Sequence, residues 1–499
     1  MMPAIARARY GVPVLALLCV GLSLLAAVLW YLQLKIDLAL LFHSDSDYLP
    51  ALYRDLVQHN GRLSQWYLTP APSFLPDWPL FFLAHWLAGD FFHALPLFFV
   101  LQGGLLFGLA WWLARAVLDS RAAPLAAAFA TVLVFYWAMQ TVTPYSYFYL
   151  SAFHCGAFLL LLLSLRLQHG QACWLLGVVA ALAALSDRLY VLQYALPALA
   201  TLGLLQWRQG LPWKRQAAAI LIGSLIGMQL YKLVAHAHKL PWGLSLAGID
   251  SNLAQLGGML AQTWQRAPLC LTLLIAYYLA VSLLLPGTLA GRGWRIRQPL
   301  AAQLAVFSWL SGAAGVAVVL VSTNDFTVRY FIPAFVLPLL LGPLLLYSCL
   351  PQRWQRHLPV LLMALTAGLT LKMLLPQLRD LDQVRQAYYP PQVACMDAML
   401  AQHKLRRGIA NYWDAKRYGM LSRTQPVIAS YTSQLNGMRW ITSEAVFSQS
   451  YDFALISHEV DVLDAAALIR LNGVPAARAD CGNFEVLAWP DGGLQHGLH

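Results

Sequence analysis

The chain has 499 residues, of which 59% are hydrophobic and only 11% charged, too little charge to cover the surface of a soluble protein of this size. The formal net charge of +11 does not point to nucleic acid. The basic residues sit in short clusters between apolar runs, as topology signals do.

Arg7 and Arg9 precede the first apolar run, residues 11–42, which is too long for the core of a cleaved signal peptide. It is expected to stay as a spanning helix with its N-terminal end in the cytoplasm. An outer loop follows over about 43–92. Within it, 48–59 suits a short surface helix, and Trp66, Trp78 and Trp86 suit the interface. Further spans are expected at about 93–114, 122–140, 151–167, 172–185, 189–206, 216–234, 268–286, 300–321, 329–352 and 358–375. A short outer helix is expected at 252–264. The clusters Arg115/Arg121, Arg166, Arg208/Lys214/Arg215, Arg292/Arg295/Arg297 and Arg353/Arg356 all fall on the inner side of this scheme. The pattern predicts a polytopic α-helical membrane protein of about 11 transmembrane helices over 1–376, in the inner or plasma membrane. A small extracytoplasmic α/β domain follows at 377–499. There, helical spacing at 392–403 and 461–471 alternates with strand-like runs at 408–412, 427–431, 451–456 and 484–489.

The acids divide the chain at the same place. Residues 1–376 contain no Glu and ten Asp, whereas the remaining 123 residues contain twelve acids and eleven Lys or Arg. Nine of the ten Asp fall at or near the outer face, with Asp119 the exception. A carboxylate in lipid is costly, so acids gathered on one face mark a candidate site. Cys395 and Cys481 form the only cysteine pair of the tail and have no CxxC neighbour. Outside the cytoplasm they are expected to form a disulfide.

Directly after the first span stands His43-Ser44-Asp45-Ser46-Asp47-Tyr48, with Asp55 and the pair Pro76-Asp77 downstream. In an extended segment residues i and i+2 point the same way, so Asp45 and Asp47 would converge. That suits a divalent cation held by oxygen ligands, Mg or Mn, or a base beside an orienting group. The competing reading is a solvated loop start or a helix N-cap. Arg54, Arg188 and Arg329 lie on the outer side and suit phosphate, or lipid headgroups. His154, close in sequence to Tyr145, Tyr147 and Tyr149, suits acceptor or phosphate contact. Asp187 and Arg188 are site candidates or a local ion pair, and Asp325 lies four residues before Arg329. Trp66, Tyr145 and Tyr147 could line a sugar groove, or belong to the aromatic belt. His236-x-His238 has no further metal-ligand spacing.

The chain resembles the GT-C superfamily of membrane glycosyltransferases. The resemblance rests on the many spans, on Asp45-Ser46-Asp47 in the first outer loop, and on Arg329-Tyr330-Phe331-Ile332-Pro333 opening a late helix. It implies an inverting sugar transfer outside the cytoplasm, from a polyprenyl-phosphate-linked donor to a glycan, lipid or protein acceptor. Asp45 or Asp47 would be the general base or hold a metal that acts for it. His43, Tyr48, Arg54, His154, Asp187, Arg188, Asp325, Arg329 and Tyr330 would contact substrate. An O-antigen-type polymerase or ligase is the alternative enzyme, although such proteins rely on a large late outer loop. A transporter or flippase is the non-enzymatic alternative, but its halves would repeat and its polar groups gather at the midplane.

Overall fold

The computed structural model describes residues 4–170, 172–209, 213–234, 245–291, 293, 295–323, 326–459 and 461–498. The chain divides into two compact units. One comprises Met1–Ile36, Ala71–Val234 and Lys239–Val384, and the other Asp37–Pro70 and Arg385–His499. Asp325, His236 and His238 lie outside the described residues.

In the first unit, eight helices among the described residues are long and apolar enough to cross a membrane: Gly11–Leu32, Phe91–Ala114, Ala122–Met139, Lys214–Leu233, Pro268–Ala290, Pro299–Val321, Val328–Cys349 and Gln352–Arg379. A helix satisfies its backbone internally, which the hydrocarbon core requires. Cys155–Leu167, Cys173–Ser186 and Val191–Leu205 are apolar but shorter. Where the sequence suggests about 11 spans, eight helices among the described residues are of full length; Cys155–Leu167 begins after the turn at His154, and Cys173–Ser186 stops at Asp187. The helix expected at 252–264 is longer and covers Ile249–Arg266. Asp77–Ala88 forms a separate helix, closed by Gly89 at φ 79°, a conformation glycine adopts without steric cost.

The Ala122–Met139 helix is the centre of this unit. It packs against Ala4–Leu32, Phe91–Ala114, Ile332–Cys349 and Leu358–Arg379. Its span is 89% buried, against 22% for Pro268–Ala290. Its alanines let neighbouring backbones approach closely, which favours dispersion contacts where lipid supplies no hydrophobic drive. The same logic joins Cys173–Ser186 to Lys214–Val234. A Cβ on Gly223 would lie 2.2 Å from the Gly177 carbonyl oxygen, and one on Gly227 2.2 Å from that of Ala181. Near the C-terminal ends of the first and last spans, Lys35 Nζ meets Asp380 Oδ2 at 2.6 Å. Gln33 Nε2 donates to the carbonyls of Gln377 and Asp380 at 2.8 and 2.9 Å.

The second unit contains a mixed sheet. In chain order the strands are β1 Trp66–Tyr67, β2 Arg407–Ala410, β3 Val427–Ser430, β4 Thr442–Ser443, β5 Phe453–Ser457, β6 Ala477–Asp480 and β7 Phe484–Ala488. The five-stranded sheet has the order β3-β2-β5-β7-β6. β2 is parallel to β3 and β5, whereas β7 is antiparallel to β5 and β6. Pleating sends alternate residues to opposite faces. Ala410, Phe453, Leu455 and Val486 pack with the helices Pro391–His403 and Tyr412–Leu421 on one face. Ile409, Ala454 and Leu487 pack with Ala465–Asn472 on the other. This is the α/β layering expected of the tail. Cys395 and Cys481 are disulfide-bonded, with Cα atoms 5.6 Å apart. β1 pairs with β4, joining the 37–70 segment to the tail within this unit.

The strand expected over 408–412 stops at Ala410, because Asn411 is a helix cap. Its Oδ1 accepts from Asp414 N at 2.9 Å and opens the helix Tyr412–Leu421. β6 is not apparent in the sequence, since Arg478 and Asp480 alternate on an edge strand with one wet face.

Gly227→Val should break the close helix contact. Overpacking of this kind costs about 1–3 kcal/mol. The expected result is a lower thermal midpoint in detergent than that of Ile226→Ala, a change at the exposed neighbouring position. Equal midpoints for the two variants would show that the contact does not matter.

Candidate functional site

The acidic loop is a turn, not an extended strand, so the expected convergence of Asp45 and Asp47 through i, i+2 spacing does not hold. Residues 44–47 form turns that lead into the helix Tyr48–Tyr53. His43 and Ser46 build the turn. The amides of Asp45 and Ser46 donate to His43 Nδ1, and Ser46 Oγ donates to the His43 carbonyl at 2.8 Å. Asp47 stands at the helix N-cap but its side chain makes no capping bond. The capping explanation for Asp47 therefore fails.

The two carboxylates have different surroundings. Asp45 is half-buried and accepts a hydrogen bond from the Tyr412 hydroxyl. Asp47 is 0% exposed, and neither carboxylate oxygen has a hydrogen-bond partner among the described residues. Its compensation is electrostatic, from Lys416, Arg417 and Arg54. Burial nevertheless dominates and holds the Asp47 carboxyl well above the usual carboxylate range.

The cations come from the helix Tyr412–Leu421 and from the loop itself. Ser44 Oγ donates to the Tyr412 carbonyl, which ties that helix's start to the acidic turn. Lys416 Nζ is buried without a hydrogen-bond partner among the described residues and lies 4.5 Å from the Tyr412 ring centroid. Burial pushes its ammonium down to about 8, while Asp45 and Asp47 hold it up. Arg54 Nη1 donates to the Gly419 carbonyl at 2.9 Å. Burial also lowers Arg54, against the pull of Asp47 and Asp55. The donor set fits a divalent cation poorly, because three cationic side chains already face Asp47. Among the described residues, no three His, Cys, Asp or Glu gather as metal ligands.

Tyr48 is 1% exposed with its ring 6.4 Å from that of Trp66, so it packs inside the unit. Trp66 is buried too, and Nε1 donates to Asp55 Oδ2 at 2.5 Å. Tyr145 is likewise buried, donating to the Phe335 carbonyl at 3.0 Å. Trp66 and Tyr145 are therefore core residues, not groove linings.

The other candidates belong to the membrane unit. Asp187 and Arg188 do not pair with each other. Asp187 Oδ2 meets His154 Nδ1 at 2.5 Å, and Arg188 stacks 3.8 Å from the Tyr231 ring centroid. The Tyr330 ring lies edge-on to His154, centroids 5.5 Å apart, and the Arg329 guanidinium carbon is 5.4 Å from the Phe153 ring centroid. Asp77 Oδ1 accepts from Ala152 N at 2.9 Å. Burial raises Asp77 to about 7, with Asp187 adding to the rise.

Sequence reasoning missed Tyr412, Lys416 and Arg417. Their signal was an adjacent basic pair between two tyrosines, in a helix opened by a capping Asn. Without the helix in place, nothing in that signal linked it to a loop near the other end of the chain.

Lys416 has a pH signature. Its folded pKa of about 8 lies below the 10.5 of an ordinary lysine. The unfolded chain therefore binds more protons between those values, and stability rises with pH through that window. Lys416→Met should remove this rise, read as the difference in thermal midpoint between wild type and variant across the same window. An unchanged pH slope would show that Lys416 is solvated.

No protein-family model matches the chain. No curated protein matches it by sequence. Among solved structures, the chain is similar to ArnT from Cupriavidus metallidurans in the apo state, at 14% sequence identity and a TM-score of 0.55. The match covers 97% of this chain and 98% of that one. The likeness shows that this chain has the fold of that protein over nearly its whole length.

Proposed function

We propose that the chain is a glycosyltransferase that moves a sugar from a polyprenyl-phosphate-linked donor to a glycan, lipid or protein acceptor at the outer face of the membrane. Its N-terminus is then cytoplasmic and its C-terminal domain extracytoplasmic. The observation that carries this reading is Asp45: a half-buried carboxylate in the first loop of a GT-C fold, oriented by the Tyr412 hydroxyl. The motifs Asp45-Ser46-Asp47 and Arg329-Tyr330, which resemble those of GT-C enzymes, together with the likeness to the ArnT fold, favour a polyprenyl-phosphate donor here.

In this reading Asp45 is the general base. It takes the proton of the acceptor hydroxyl as that oxygen attacks the anomeric carbon. The bond from that carbon to the donor phosphate breaks, and its electron pair leaves with the phosphate. Displacement from the opposite face inverts the anomeric centre. Asp47 is too buried for this task. With Lys416 and Arg54 it sets the local charge around Asp45. His43 shapes the turn, and Tyr48 anchors it. In the membrane unit, Arg188, Arg329, His154, Asp187 and Tyr330 are the proposed substrate contacts, the guanidinium groups serving phosphate oxygens.

The test is donor turnover. Membranes holding matched amounts of wild-type, Asp45→Asn or Asp47→Asn chain are supplied with decaprenyl-phosphate-linked sugars, and released decaprenyl phosphate is measured. Loss of a general base lowers rate by about 10²–10⁴-fold. Asp45→Asn should fall in that range, and Asp47→Asn should lose less. Wild-type rates in Asp45→Asn would remove the base assignment, and no release by the wild-type chain would remove the donor class.

A further inference from the structure

The membrane unit contains a buried histidine–carboxylate pair. His154 and Asp187 are 33 residues apart in sequence; the first precedes the helix Cys155–Leu167 and the second follows the helix Cys173–Ser186. Their contact of 2.5 Å is buried, with side-chain exposures of 8% and 2%. Asp187 is itself fixed, since its Oδ1 accepts from Leu189 N at 2.9 Å. With Nδ1 engaged by Asp187, the other ring nitrogen, Nε2, is the end left to meet a ligand.

Backbone strain is the independent observation. His154 has φ 65°, a left-handed conformation that crowds the Cβ of a non-glycine residue. Strain of this kind persists where the surroundings enforce it and clusters at functional sites. Here the enforcing groups are identifiable. Asp77 holds the Ala152 amide two residues earlier, and a Cβ on Gly156 two residues later would lie 1.8 Å from Asp77 Oδ2. The segment 152–156 is thus moulded around a buried carboxyl, and the imidazole is aimed by the result. Asp187 and Tyr330 face the imidazole, Asp77 lies behind Asp187 and the Ala152 amide, and Arg329 stands over the ring of the adjacent Phe153.

We propose that His154, held by Asp187, donates a proton to the phosphate that departs from the lipid-linked donor. This rests on the reading of the chain as a polyprenyl-phosphate-dependent transferase. As the bond from the anomeric carbon to the phosphate oxygen breaks, the electron pair stays on that oxygen. The proton on His154 Nε2 passes to it, and the phosphate leaves as a monoanionic monoester. The acceptor's proton goes to the general base. Asp187 is a positioning residue: it stabilises the imidazolium before transfer and keeps Nδ1–H afterwards. Water returns a proton to Nε2 before the next turnover.

The donor is a phosphodiester without the second charge, so this interaction strengthens only as the leaving oxygen becomes anionic. Such an interaction appears in kcat rather than KM. The experiment uses full-length protein in detergent micelles, with decaprenyl phosphate and decaprenol as probes, alongside the release assay. His154→Gln keeps an amide to hold Asp187 and guards against loss of the fold, which its thermal midpoint reports. Wild type should prefer decaprenyl phosphate to decaprenol. His154→Gln and Asp187→Asn should lose at least about tenfold of that preference. In His154→Gln kcat should fall about 10²-fold or more with KM changed less than about threefold. In ¹⁵N spectra of histidine-labelled wild-type protein, His154 Nδ1 should keep its proton both when Nε2 is protonated and when it is not, and that preference for Nδ1 should be lost in Asp187→Asn. A folded His154→Gln variant with the wild-type preference and kcat overturns the role of His154 and leaves the donor class standing. A wild-type protein that does not distinguish the two probes overturns both.

Discussion

A carboxyl with no exposure and no hydrogen bond is costly to ionise, and Asp47 draws three cations around it in the second unit that offset part of that cost. Ion burial costs several kcal/mol per group even after relaxation. Lys416, Arg417 and Arg54 supply the opposing field. To do so the helix Tyr412–Leu421 must keep its place against the acidic turn. The bonds from Ser44 to the Tyr412 carbonyl, from Tyr412 to Asp45, and from Arg54 to the Gly419 carbonyl keep it there. The pairing of β1 with β4 and the packing of Tyr48 against Trp66 support the same arrangement. Asp45, the accessible member of the pair, takes its orientation from this construction.

The membrane unit solves a related problem differently. Its spans are held by small residues at close contacts, as between Gly177 and Gly223, and by polar groups at helix ends. The short helices Cys155–Leu167 and Cys173–Ser186 are bounded by polar turns. His154 and Asp187 occupy such turns, and Asp77, at the start of its own helix, reaches the first of them through the Ala152 amide. Each carboxylate is satisfied by a backbone amide, and Asp187 also by the imidazole. These two carboxylates thus sit where chain ends meet and partners are available.

Read alone, the residues carried the class of the molecule and the candidate site's first member. Hydropathy placed most helix boundaries within a few residues, and the asymmetry of Asp placement directed attention to Asp45 and Asp47. The Asp45-Ser46-Asp47 and Arg329-Tyr330 motifs suggested a membrane-transferase fold, and the chain has the fold of ArnT. Local pattern failed where geometry depends on what lies on both sides. Convergence through i, i+2 spacing requires an extended segment, but the helix that begins at Tyr48 forces a turn. An Asp187-Arg188 ion pair would make sequence neighbours partners, yet His154 and Tyr231 take these side chains instead.

What the sequence determined by itself was everything governed by composition and short-range period: an apolar run of about 20 residues can satisfy its backbone in lipid only as a helix. The α/β tail and the acidic loop followed from the same kind of local evidence. What only the tertiary structure decided was which charges face which. Asp45 and Tyr412 are 367 residues apart, and His154 and Asp187 flank separate helices. Electrostatic partnership falls off with distance through space, and no one-dimensional pattern records that distance.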